Sequence, residues 1–203
     1  LFDIQKISNG AYAIKTRVTS SASCLDVYNW STAAGGNIAQ YSYWGGACQL
    51  WILEKASDTK GTDISLSAND LTYGNYTNAI TSGSFTIGAS SSKNVAVLNR
   101  NTTVNGTSYS KVLQMNGGGN STGRYIKFTA TGACTVKVTA ASTSTSASRT
   151  LRLASGSVGG STVGNATITG TPSTVTYKIP SAGTYYLYST RNGIYVYQVN
   201  VAY

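Results

Sequence analysis

Short runs of β-type residues, separated by turn-forming clusters, recur after residue 83 and constrain the fold of this chain more than any other feature. They lie at Ser84–Ile87, Val95–Leu98, Tyr109–Met115, Arg124–Thr129, Cys134–Ala140, Thr150–Leu153, Ala166–Thr169, Thr174–Ile179, Tyr185–Tyr188 and Ile194–Val201. This spacing is typical of an antiparallel sandwich, and no helical repeat of apolar residues is long enough to compete with it. We therefore predict an all-β chain that contains a jelly-roll-like antiparallel β-sandwich.

A polar segment separates this region from the beginning of the chain. Residues 54–62 have the sequence EKASDTKGT, which interrupts the apolar pattern. At 203 residues the chain can hold one large domain or two small ones. We predict a first domain at 1–56, a linker at 57–62 and the β-sandwich at 63–203.

The first domain is organised around residues 24–51, where one carboxylate, several amides and many large rings occur together. A pyranose has an apolar C–H face that stacks on aromatic rings, and its hydroxyls pair with carboxylates and amides. The candidate sugar-binding residues are Asp26, Asn37, Gln40, Tyr41, Tyr43, Trp44 and Gln49. The alternative for the rings, which also include Tyr28 and Trp30, is core packing, and we favour core packing for Trp51.

Three motifs of this stretch carry a family resemblance: Cys-Leu-Asp-Val, Gly-Gly-Asn-Ile-Ala-Gln-Tyr and Gly-Gly-Ala-Cys-Gln-Leu-Trp. Their order resembles one lobe of a ricin-type β-trefoil lectin, the family 13 carbohydrate-binding modules, whose QxW signature is part of the third motif. The resemblance implies a partial trefoil lobe over 1–56 and a sugar held by Asp26, Tyr41 and Gln49. It departs from the family at Ala39 and Cys48, where the family has Gln and Asn. Because a trefoil has three lobes, we expect either a fragment of a longer secreted protein or a lobe that packs against the later part of the chain.

Three cysteines leave at least one unpaired. We predict a disulfide between Cys24 and Cys48, which would join the first strand of the lobe to its QxW turn and contribute about 3 kcal/mol. The alternative is two free buried thiols. Cys134 alternates with valines, and we predict that it is a small buried hydrophobic residue.

Composition excludes several classes of enzyme. The chain has no histidine, so it has no His-based acid/base pair, nucleophile or metal site. Only 10% of its residues are charged, and its abundance of Gly, Ser, Thr, Asn and Tyr is typical of an extracellular β protein. No signal peptide is present at Leu1, so we expect a secreted bacterial protein whose export signal lies outside this sequence.

Charge is divided unequally along the chain. All 6 acidic residues lie within the first 70 positions, whereas residues 71–203 contain 10 of the 15 cations. Strand alternation predicts that three cations of this basic region face outward: Lys127, Lys137 and Arg152. Because short connections join their strands, we predict that they form one basic row that binds an acidic polysaccharide. The alternative is ordinary solubilising side chains, which usually alternate with acidic residues.

A second resemblance covers most of 63–203. The segments RYIKFTATGACTVKVTAASTSTSASRTLRLASG and YYLYSTRNGIYVYQVNV resemble a sandwich module found beside the catalytic domains of bacterial pectate lyases. This resemblance implies a non-catalytic appendage, with uronate binding by Lys and Arg.

From these features we predict a non-catalytic carbohydrate-binding region of a secreted enzyme that degrades plant cell walls. We expect it to bind acidic pectin (homogalacturonan), to tether a catalytic domain to it, and to be monomeric within the larger enzyme. The alternatives are a module for neutral xylan or galactan and, less favoured, a polysaccharide lyase. Scattered cations argue against a nucleic-acid partner, and no apolar run approaches the roughly 20 residues that cross a membrane.

No cofactor and no metal ligand are assigned from the sequence. A structural calcium ion near Asp58, Asp63, Asn69 or Asp70 is left open, although their spacing is unlike that of an EF-hand.

Overall fold

A computed structural model describes residues 1–7, 10–53 and 61–203. The chain divides into two compact units, which we call the N-terminal unit (Leu1–Asp58) and the sandwich unit (Thr59–Tyr203). The described residues form β-strands and short 3-10 turns without an α-helix, so the all-β prediction is confirmed. The linker predicted at 57–62 falls mostly outside the described residues, and it stays a prediction together with the domain limits.

The described residues of the N-terminal unit form one antiparallel sheet of five strands. They are β1 (Phe2–Lys6), β2 (Ala11–Thr16), β3 (Ser23–Val27), β4 (Ile38–Ser42) and β5 (Trp51–Ile52). The order is β1-β2-β3-β4, and β5 pairs with β2. The trefoil resemblance of this unit stays a prediction.

Between residues 61 and 203, the sandwich unit contains thirteen strands in two antiparallel sheets. They are β6 (Ile64–Ser67), β7 (Gly74–Tyr76), β8 (Ile80–Ser82), β9 (Phe85–Gly88), β10 (Val95–Val104), β11 (Thr107–Asn116), β12 (Tyr125–Ala130), β13 (Cys134–Ser142), β14 (Arg149–Ser155), β15 (Ser161–Ile168), β16 (Ser173–Ile179), β17 (Gly183–Ser189) and β18 (Gly193–Ala202). The 7-stranded sheet has the order β16-β13-β18-β11-β10-β7, with β6 on β18, and the 6-stranded sheet has the order β15-β14-β17-β12-β9-β8.

Apolar side chains from both sheets meet in one core, which confirms the predicted antiparallel β-sandwich. Phe85, Ile126 and Phe128 of the six-stranded sheet and Val97 and Val136 of the seven-stranded sheet all belong to this core and are buried. Alternation along each strand brings these residues inward and leaves their polar neighbours on the outer faces.

Three successive strands of the sandwich unit, β12 to β14, alternate between the two sheets. β12 belongs to the six-stranded sheet, β13 to the seven-stranded sheet, and β14 again to the six-stranded sheet. The prediction of one basic row is therefore wrong, because Lys137 lies on β13 whereas Lys127 and Arg152 lie on β12 and β14. The predicted row assumed that strands joined by a short connection are neighbours, but here those connections cross between sheets.

No helix among the described residues has the length and apolar character needed to cross a membrane.

Candidate functional site

Strand pairing in the N-terminal unit places Asp26 and Tyr41 on the same face of the sheet. Asp26 of β3 lies opposite Ala39 of β4, and Cys24 lies opposite Tyr41. Because side chains alternate along a strand, Asp26 and Tyr41 are diagonal neighbours on one face. The small side chain of Ala39 leaves space directly opposite the carboxylate.

A cavity of about 340 Å³ opens at this face. Its lining residues are Asp26, Tyr28, Asn29, Trp30, Tyr41, Trp44 and Cys48. The lining combines one carboxylate, one amide and four aromatic rings, which is the set of groups that a sugar ring and its hydroxyls require.

The carboxylate of Asp26 is held through one of its two oxygens. The side chain is 9% exposed, and its Oδ2 accepts hydrogen bonds from Gln49 Nε2 at 2.8 Å and from Cys48 Sγ at 3.6 Å. No donor among the described residues reaches Oδ1. This second oxygen is therefore available to accept a charge-assisted hydrogen bond from a ligand hydroxyl.

Gln49 supports this arrangement from inside the unit. It is 0% exposed, and its Nε2 donates to the Ser42 carbonyl at 2.9 Å as well as to Asp26. Its Oε1 accepts from the backbone N–H groups of Trp44 at 2.9 Å and Gly45 at 3.2 Å. Gln49 does not line the cavity, so it positions Asp26 and the Trp44 segment rather than contacting a ligand.

The aromatic rings of the cavity are unusually exposed. Tyr41 is 62%, Trp44 55% and Trp30 60% exposed, and the ring centroids of the two tryptophans are 5.5 Å apart. A Cβ added at Gly46 would collide with the Trp44 indole, so the ring lies directly against the backbone there. A cluster of exposed rings around a carboxylate indicates a binding surface rather than core packing.

The segment from Tyr28 to Trp30 forms a 3-10 turn that brings three lining residues into the site. Asn29 and Trp30 have positive φ angles of 52° and 55°, a conformation that is uncommon for a large side chain. The Tyr28 N–H donates to the Asn37 carbonyl at 2.9 Å and ties the turn to the segment before β4. Backbone strain from positive φ angles at residues other than glycine is found at ligand sites more often than elsewhere.

Sequence reasoning noted the rings of Tyr28 and Trp30 but did not assign them to the site, and it did not select Asn29. The signal that was available is the Tyr-Asn-Trp run directly after the Asp26 strand. An asparagine favours the left-handed conformation there, and it turns the chain back toward the carboxylate.

Three other predicted residues lie outside the cavity lining. Gln40 pairs with Leu25 and so lies on the opposite face of the sheet from Asp26. Tyr43 packs under Lys15, whose Nζ is 4.3 Å from the ring centroid, which is a cation–π contact. Asn37 is also absent from the lining. We therefore do not include these three residues in the candidate site.

Both cysteines of the N-terminal unit are free thiols, so the predicted disulfide is wrong. Cys24 and Cys48 are buried, and the Cys48 thiol donates to Asp26. Burial, followed by the nearby Asp26 carboxylate, raises the pKa of both thiols, which keeps them protonated at neutral pH. Cys134 is buried in the sandwich core, as its alternation with valines predicted.

The state of these thiols gives a first prediction. We expect Ellman's reagent to detect three thiols per chain after unfolding in guanidinium without a reductant, because all 3 cysteines are free. In the folded protein the reaction should be slow, since the thiols are buried and protonated. A count of one thiol in the unfolded chain would show that Cys24 and Cys48 are joined after all.

The region considered for calcium is held together by hydrogen bonds. Asn69 Oδ1 accepts from the Ser110 N–H at 2.9 Å and the Lys111 N–H at 3.1 Å, and Asp63 Oδ1 accepts from the Tyr203 N–H at 3.0 Å. Asp58 lies outside the described residues. Within residues 1–7, 10–53 and 61–203, no three His, Cys, Asp or Glu side chains form a group suited to a metal ion.

Comparison with known proteins gives structural matches only. No family model and no curated protein matches the sequence. The CBM22-1 xylan-binding domain of Paenibacillus barcinonensis Xyn10C is 14% identical over 72% of this chain and 97% of that chain, with a TM-score of 0.44. The C-terminal CBM6 of LamC from Zobellia galactanivorans is 12% identical over 70% of this chain and 100% of that chain, with a TM-score of 0.30. These scores do not assign this chain to a family.

Proposed function

We propose that this chain is a non-catalytic carbohydrate-binding region, with a saccharide site in the cavity around Asp26. The observation that carries this proposal is the combination at one cavity of a buried carboxylate with one free oxygen and exposed aromatic rings. The rings offer faces to the apolar side of a sugar, while Asp26 and Asn29 offer hydrogen bonds to its rim.

The charge of this cavity favours a neutral saccharide. Of the residues that the structure describes, Asp26 is the only charged one in the lining, and a carboxylate repels the carboxylate of a uronic acid. Neutral xylan or galactan chains therefore fit this site better than homogalacturonan does. The cavity also offers one carboxylate, whereas the usual hydrolysis of a glycosidic bond requires two at a set separation.

Acidic pectin is a second candidate ligand, for the sandwich unit. The absence of acidic residues from 71–203 supports it, since an unbalanced positive surface attracts a polyanion. The cations of this unit occur on both sheets, with Lys127 and Arg152 on the six-stranded sheet and Lys137 on the seven-stranded sheet. Binding to an insoluble polysaccharide would keep a secreted catalytic partner near its substrate.

Replacement of Asp26 by asparagine tests the first site. We expect the Asp26→Asn variant to bind xylan or galactan oligosaccharides about tenfold more weakly than the native chain, because it loses the charge-assisted hydrogen bond. Isothermal titration calorimetry measures this difference.

The matched control is Asp3→Asn, in the same unit but outside the cavity. Asp3 accepts from Ser21 and Arg17, which lower the pKa of its carboxyl, and its replacement should leave affinity unchanged. Equal affinities for the two variants would show that Asp26 does not contact the ligand.

Affinity electrophoresis in xylan and in homogalacturonan at two salt concentrations separates the two ligand classes, since only binding of the polyanion should weaken with salt.

A further inference from the structure

The β10–β11 hairpin covers part of the outer face of the seven-stranded sheet. Its turn residues, Asn105 and Gly106, have φ angles of 50° and 80°, which an Asn-Gly pair adopts readily. The ring of Tyr109 packs on Tyr197 with centroids 5.5 Å apart, and both side chains are buried. The Asn105 side-chain amide donates to Thr174 at 3.5 Å, so the hairpin tip reaches the edge strand β16.

Beside this hairpin, the outer face carries two polar rows that run across β16, β13 and β18. Strand register gives the rows as Thr176, Lys137 and Asn200, and then Thr174, Thr139 and Gln198. The residues that alternate with Lys137 and Thr139 along β13, Val136 and Val138, face the core. Side-chain alternation therefore places all six polar groups on one surface.

The rows and the hairpin border an open cavity of about 350 Å³. It is lined by the six residues of the rows together with Val104, Asn105, Thr107 and Tyr109. Its volume is within the usual range of small-molecule sites. The lining offers hydroxyl and amide groups, which both donate and accept hydrogen bonds as sugar hydroxyls do.

Hydrogen bonds already orient several of these groups. The Tyr109 hydroxyl donates to Gln198 Oε1 at 2.7 Å, and no acceptor among the described residues takes the Gln198 Nε2 hydrogens. The hydroxyls of Thr139 and Thr174 are 2.9 Å apart. The amide of Gln198 is thus fixed with its donor group available, and less conformational freedom is lost when a ligand binds.

The positive charge of Lys137 indicates that a ligand of this cavity carries a negative charge. Among the described residues, Lys137 is the only charged one in the lining, and no ion pair involves it there. Its direct neighbours across the strands, Thr176 and Asn200, are neutral. On the same face, Lys178 lies two residues along β16 from Thr176 and adds to the positive potential.

We propose that this cavity is a second saccharide site and that it binds a uronic acid residue, whose carboxylate pairs with Lys137. The assignment of a saccharide rests on the proposed function, and it locates the acidic-polysaccharide candidate on the seven-stranded sheet. The hydroxyls and amides of the two rows bind the sugar hydroxyls, while Lys137 selects uronates over neutral sugars.

The test uses the full chain, short galacturonate oligomers and the same oligomers with methyl-esterified carboxyls. The Lys137→Gln variant keeps a polar side chain of similar length and removes the charge. We expect it to bind galacturonate about tenfold more weakly by calorimetry, and to bind the esterified oligomer as the native chain does.

Lys127→Gln is the control, because it removes the same charge from the other sheet. It should change the affinity for galacturonate less than twofold. Equal losses in the two lysine variants would show general attraction to a positive surface and would overturn the proposal, as would the absence of galacturonate binding by the native chain.

Different measurements test the two proposed sites, so either proposal can be contradicted without the other. All 3 tryptophans lie at positions 30, 44 and 51, so tryptophan fluorescence reports on the N-terminal unit and not on the sandwich unit. If the site at Lys137 exists, Asp26→Asn leaves galacturonate binding intact. If only the site at Asp26 exists, fluorescence responds to neutral oligosaccharides and neither lysine variant matters.

Discussion

Replacing Gln49 by leucine is expected to lower the free energy of unfolding of the N-terminal unit by about 3–5 kcal/mol. The change leaves the Asp26 carboxylate without its amide donor and the Trp44 and Gly45 N–H groups without the acceptor that the fully buried Gln49 side chain provides. Unfolding in urea, followed by tryptophan fluorescence, measures this loss. The signal comes from this unit alone, because every tryptophan lies in it.

The matched control is Gln40→Leu, nine residues earlier. Gln40 is exposed on the opposite face of β4 from Asp26, and its replacement should change stability by less than about 0.5 kcal/mol. If the two variants unfold at the same urea concentration, the Gln49 network contributes nothing of the size argued here. If Gln49→Leu is as stable as the native chain and keeps its sugar affinity, Gln49 does not position Asp26 for binding.

Removal of the Trp44 ring is expected to have the largest effect on binding. The Trp44→Ala variant should bind xylan or galactan oligosaccharides about 10- to 100-fold more weakly, which corresponds to burial of one large ring by the ligand at about 1.5–3 kcal/mol. Trp44 is mostly exposed, so its loss should hardly change the stability of the unit. Calorimetric titration of each variant with the same oligosaccharide gives the comparison.

Tyr43→Ala is the natural control for this experiment. Tyr43 is adjacent in sequence and similar in size, but it packs with Lys15 and does not line the cavity. Its replacement should change affinity less than twofold. A larger loss in Tyr43→Ala than in Trp44→Ala would mean that the sugar lies on the other side of this segment.

The local properties of the sequence predicted the fold class well. Alternation of apolar and polar residues is a local signal, and it correctly placed Ile126 and Phe128 in the core and Lys127 outside it. The partner of each strand depends on contacts between distant residues. Alternation alone did not reveal that β12 and β14 lie in a different sheet from β13, and the predicted basic row failed for that reason.

Only part of the candidate site at Asp26 could be predicted, because chemical type can be read from the sequence whereas burial and side-chain contacts depend on the fold. Asp26, Tyr41 and Trp44 were selected by chemical type, and the structure brings all three to one cavity. The role of Gln49 depends on burial, which turns an amide suited to sugar binding into a support for the carboxylate. The spacing of Cys24 and Cys48 fitted a disulfide, but spacing does not show that the Cys48 thiol faces Asp26 instead.

The central claim is that a neutral saccharide binds against the rings of Trp30 and Trp44, next to Asp26. The most direct measurement is the tryptophan fluorescence of the full chain during titration with xylan and galactan oligosaccharides. We predict a saturable change in fluorescence intensity or emission wavelength for at least one of these oligosaccharides. The oligosaccharide concentration at half-saturation should not depend on salt, and it should be about tenfold higher for Asp26→Asn. An unchanged spectrum with every neutral oligosaccharide, or a change that is the same in Asp26→Asn, would contradict the claim.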